Sequence, residues 1–149
     1  MKTKRRPQPG DVLEVRLANG LGYLLFLGTH SEYGDVVKVS PVVATERPPV
    51  SLGLFEKGYI AFYPARAAWA QGLVETVGSL PAPPVPSALR RPGARSEGRV
   101  DTWIIEDEAG EAVTRTLTGE QRHLPIAAIV NHELLVQRIA EGWRPEKEG

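Results

Sequence analysis

Polar and apolar residues alternate over Val12-Leu13-Glu14-Val15-Arg16-Leu17, with Leu13, Val15 and Leu17 on one side and Glu14 and Arg16 on the other. That period of two is the pattern of a half-buried strand. Asn19-Gly20 follows, a pair that favours the left-handed dihedrals of a type I′ turn, and residues 22–27 return as an apolar second strand ending at Gly28. Residues 29–34 read as a polar loop, and Val36-Val37-Lys38-Val39 as a third strand stopped by Ser40-Pro41. Pro48 and Pro49 exclude a central strand from residues 42–54. Tyr59-Ile60-Ala61-Phe62-Tyr63 predicts a fourth strand, stopped by Pro64, and residues 65–77 carry enough helix formers for a short helix or turn despite Gly72.

Five prolines in the thirteen residues 80–92 remove both helix interior and ladder donors. The expectation is an extended connector, either running free or laid across the domain. Beyond it, residues 100–106 and 111–117 predict a hairpin around Asp107-Glu108-Ala109-Gly110. Thr118 and Gln121 stand at capping-box spacing, with Pro125 limiting any helix there to about one turn. Asn131 and Gly142 bracket the strongest helix signal, Leu135 and Ile139 lie one turn apart within it, and Trp143 is placed to pack back on it. The fold class expected is mainly β with α: a small bent antiparallel SH3-like barrel, an added β-hairpin and a C-terminal helix. Residues 1–9 read as a flexible basic tail and 10–149 as a single domain. Within it, 10–78 form the barrel-like part, 79–99 a Pro/Arg-rich connector, and 100–149 the hairpin plus helix.

The opening Pro9-Gly10-Asp11-Val12-Leu13-Glu14-Val15, running into a glycine-containing second strand, resembles the start of the bacterial immunity protein 26 family. The Val77-Gly78-Ser79-Leu80-Pro81 step is similar to that family's later part. The resemblance covers residues 9–85; the length of the Pro/Arg connector and residues 118–145 depart from the family's pattern. It implies a small β-rich protein that neutralises a bacterial toxin by stoichiometric protein–protein binding, with no catalytic residues to carry over.

Composition narrows the chemistry. The 149 residues include 18 basic and 18 acidic side chains and no cysteine, which excludes disulfides, thiolate metal sites and a cysteine nucleophile. The balanced charge gives no general attraction to nucleic acid or to an anionic membrane, and the longest apolar runs are far shorter than the ~20 residues of a membrane helix. A cytoplasmic protein is expected. His132-Glu133 begins a zinc signature, but Val136 stands where the second histidine belongs, so no metal is assigned. His30 and His123 have no carboxylate at ligand spacing, and no serine lies in a Gly-x-Ser-x-Gly elbow. Gly20-Leu21-Gly22 lacks the third glycine and the helix of a dinucleotide site. No catalytic residue and no cofactor is nominated.

Two charge groupings remain. Glu106, Asp107, Glu108 and Glu111 gather at the second hairpin turn, either as a solvated acidic loop or as a docking patch for a basic protein partner. Lys2, Lys4, Arg5, Arg6, Arg90, Arg91, Arg95 and Arg99 supply eight positive charges, enough to hold nucleic acid if they share a face. Tyr59 and Tyr63 would then serve as a stacking platform or protein contact, if Ile60 and Phe62 face the core. Trp69, Trp103 and Trp143 are assigned to packing.

Overall fold

The structure, a computed structural model, describes residues 5–148. Strands β1 (Asp11–Leu17), β2 (Gly20–His30), β3 (Gly34–Val39) and β4 (Tyr59–Phe62) form an antiparallel meander. A six-residue helix, α1 (Ala65–Ala70), then turns the chain so that β5 (Val74–Ser79) returns beside β1, giving the order β4-β3-β2-β1-β5. The expected barrel does not close: β4 and β5 stay at opposite edges with no ladder between them.

Both faces of this sheet are covered, which is why its central strands are apolar at successive positions instead of strictly alternating. On one face Leu13, Leu24, Phe26, Val37 and Tyr63 lie under Ala65 and Ala68 of α1 and under Leu135 and Ile139 of α2 (His132–Glu141). On the other, Val12, Tyr23, Leu25, Val36 and Phe62 meet Leu54 and Phe55 of the 3₁₀ turn Leu52–Phe55, with Leu80 and Val85 of the proline-rich stretch. The connector is therefore laid across the domain. Prolines suit that task, because a segment without donors covers an apolar face without competing for the ladder.

The first turn departs from expectation. Leu17 pairs with Gly20, so Ala18 and Asn19 form the loop, and neither has a positive φ. Gly20, at φ 149°, is required for another reason: a Cβ there would stand 2.5 Å from the carbonyl oxygen of Ala44, whose backbone bridges Leu21. Two successive positive φ values, the type I′ requirement, occur instead at Glu97 (51°) and Gly98 (77°), joining β7 (Arg95–Ser96) to β8 (Arg99–Val100).

The expected second hairpin gains a third strand. β6 (Leu89–Pro92), β9 (Trp103–Asp107) and β10 (Gly110–Thr114) make a sheet ordered β10-β9-β6. Its strand β6 comes from the segment expected to be connector, with Pro92 at its end. The two sheets are stitched together by residues 125–130. Arg90 N donates to the Pro125 carbonyl at 2.9 Å and Ala127 N to the Arg90 carbonyl at 2.8 Å, while Val130 N donates to the Phe62 carbonyl at 2.8 Å. This one segment pairs with β6 on one side and with β4 on the other.

At residues 5–9 the expected loose tail is held: Pro7 is buried and Arg5 grips Asp11 through two hydrogen bonds of 2.9 and 3.0 Å. Both caps of α2 form as expected. Asn131 Oδ1 accepts from Leu134 N at 2.8 Å, and Gly142 takes φ 70°. Thr118 and Gln121 exchange the two hydrogen bonds of a capping box, at 2.9 and 3.2 Å, ahead of a single 3₁₀ turn.

Candidate functional site

The β9–β10 hairpin carries all four expected acidic residues. Glu111 stands directly opposite Glu106 on the paired strands, Asp107 opposes Gly110, and Glu108 lies at the tip. Like charges in register across a ladder destabilise it. Arg91 on neighbouring β6 offsets part of this, with Nη2 2.9 Å from Glu111 Oε1, a contact that raises the arginine's pKa. Glu106, Asp107 and Glu108 take part in no ion pair among the described residues. Asp107 Oδ1 accepts from Ala109 N at 2.8 Å and so shapes the tip. β10 is an edge strand, exposed from Gly110 to Val113, and Val113 is 69% accessible.

Of the six expected basic residues that the structure describes, three are taken up within the fold. Lys2 and Lys4 lie outside the described residues, Arg5 is tied to Asp11, and Arg91 to Glu111. Arg90 is fully buried, which overturns its expected role as a phosphate contact. Its guanidinium lies 4.2 Å from the Trp103 ring centroid and donates to the carbonyls of Pro145 and Glu148 at 2.6 Å each, and to that of Arg122 at 3.3 Å. Loss of solvation lowers its pKa. Arg6, Arg95 and Arg99 remain exposed.

Tyr59 and Tyr63 are likewise buried, at 6% and 0% exposure, so the expected solvent-facing tyrosine pair is corrected. The reason is the second covering layer: α1 and α2 lie over the tyrosine face, while Phe62 is buried on the opposite face. The Tyr63 hydroxyl is 2.8 Å from His132 Nδ1, and burial raises the tyrosine's pKa while lowering that of the histidine. Tyr59 packs edge-on against Trp143, 5.4 Å between centroids.

Beside Tyr59 a cleft of about 350 Å³ opens between β4, the β8–β9 corner and α2, bounded among others by Arg95, Val100, Trp103, Arg138 and Trp143. Among the described residues the Tyr59 hydroxyl and Trp103 Nε1 have no hydrogen-bond partner. Burial pushes the Tyr59 pKa up to about 12. The sequence carries no signal for this cleft, because its walls come from strands, a helix and a terminal segment far apart in the chain.

Among the described residues no group of three histidine or carboxylate side chains is placed to hold a metal ion, and no helix is long and apolar enough to cross a membrane. Comparison with protein-family models, curated proteins and solved structures finds no match.

Proposed function

We propose that this chain is a non-enzymatic cytoplasmic binding protein whose acidic β9–β10 hairpin docks on a basic protein surface. The specific form of the reading is an immunity protein that neutralises a bacterial toxin by one-to-one occlusion, as the resemblance of residues 9–85 implies. The observation that carries it is the Glu106–Glu111 pair, held in register beside Asp107 and Glu108 on an open-edged hairpin. A like-charge rung costs folding free energy, and a cationic partner relieves that cost on docking. The exposed edge of β10 adds unpaired backbone groups that an extended segment of the partner can pair with.

An SH3-like character of the main sheet belongs to the same proposal. A meander whose fifth strand returns beside the first supplies the winding such a barrel needs, with bulges between Val12 and Leu13 and between Phe26 and Gly28 to bend it. The nucleic-acid alternative is less well supported, since both tyrosines are buried and three of its eight basic residues are engaged within the fold, Arg90 by burial and Arg5 and Arg91 by pairing.

The test is association kinetics with the protein that co-purifies from the native cell. Glu106→Lys combined with Asp107→Lys slows association by about tenfold at low salt and flattens its salt dependence. An unchanged on-rate, or capture of nucleic acid in place of a protein, overturns the reading.

A further inference from the structure

The geometry points to a second site on different residues: the cleft between β4, the β8–β9 corner and α2 binds a small organic monocarboxylate with a flat apolar body. Its volume, about 350 Å³, falls in the range of small-molecule pockets. Three aromatic side chains, Tyr59, Trp103 and Trp143, stand in its walls with aliphatic residues between them, which suits a flat ring.

The charge of the ligand follows from the rim. Arg95 and Arg138 both line the cleft, and neither makes an ion pair or a side-chain hydrogen bond among the described residues. Arg138 is held by stacking alone, its guanidinium 3.9 Å from the Trp143 ring centroid, which leaves its N–H fork unused. Among the described residues Glu148 is the one carboxylate in the lining, and its Oε1 already accepts from Trp143 Nε1 at 3.3 Å. Two guanidinium groups against one carboxylate favour a single negative charge over a dianion.

The walls add the second requirement. Tyr59 and Trp103 are both more than nine-tenths buried, and both leave a polar hydrogen unpaired among the described residues, which native interiors rarely tolerate. Each atom is shielded from water, so a ligand reaches it by displacing a side chain at the mouth. Arg138, with its N–H fork unpaired, is the lining group that meets the carboxylate, while the ring lies against the aromatic walls.

The three tryptophans give three indole N–H resonances in the ¹⁵N-labelled full chain, and these report the test. Titration with 2-naphthoate moves the Trp103 resonance saturably, with a dissociation constant below about 1 mM. The uncharged isostere 2-naphthalenemethanol binds at least about tenfold more weakly. Arg95→Gln, on an exposed hairpin that does not support the core, and Arg138→Gln each weaken naphthoate about fivefold and leave the alcohol unchanged. Ala128→Trp, at an exposed position of the lining, blocks both ligands without entering the core. The proposal is overturned if the Trp103 resonance does not move saturably with a dissociation constant below about 1 mM, if acid and alcohol bind alike, or if either arginine variant binds naphthoate as the wild type does.

Discussion

Arg90 sits where an aliphatic residue is expected, in the middle of a paired strand, and its charge is matched by carbonyl oxygens of residues 122, 145 and 148. Replacing it with Met keeps the volume but strands those acceptors. Arg90→Met therefore destabilises the fold by about 2–4 kcal/mol in a urea titration, and Arg90→Lys recovers little, since one ammonium cannot span three acceptors. His132 responds to acid instead. Burial depresses its pKa, with Glu133 pulling the other way, so below its ordinary value near 6.5 the unfolded chain binds a proton that the folded chain resists. Stability is complete above that pH and falls as pH drops through it. His132→Gln flattens the curve between about pH 7 and 5, above the range in which Glu14 and Glu146, held acidic by Arg47 and Arg144, begin to protonate. Neither residue announces its role in the sequence. An arginine in a Pro/Arg-rich stretch reads as solvated charge, and only the strand pairing of Leu89–Pro92 turns it inward.

At the scale of elements, the signals that proved sufficient were local. β1 is written in its own alternation, and α2 in its two caps; Asn131→Ala removes the N-cap bond and costs about 1 kcal/mol, read as a lowered Tm. Among the strands that sequence reading missed, β5 and β6 owe their existence to partners elsewhere. Val74–Ser79 follows a helix-forming run and becomes a strand because β1 offers a free edge, while Leu89–Pro92 becomes one because β9 and residues 125–127 lie on its two sides. The tyrosine faces were misjudged for the same reason. Alternation in Tyr59–Phe62 separates two faces but cannot reveal that both are covered. The acidic hairpin, by contrast, was legible in outline, its strands running 103–107 and 110–114 where 100–106 and 111–117 were expected, since a short turn brings its charges together whatever the rest of the chain does.

For the molecule as a whole, the two larger sheets are joined by a single extended segment, with the proline-rich stretch covering one face of the five-stranded sheet and two helices the other. The joining segment follows β4 by more than sixty residues and β6 by more than thirty. During synthesis on the ribosome, both strands therefore emerge long before the backbone that will occupy their outer sides. A half-made chain presents two bare ladders at once, the condition in which neighbouring nascent chains adhere to one another. Crowded translation is thus a circumstance in which this fold is exposed to error, and the arrival of residues 125–130 engages both edges in one step.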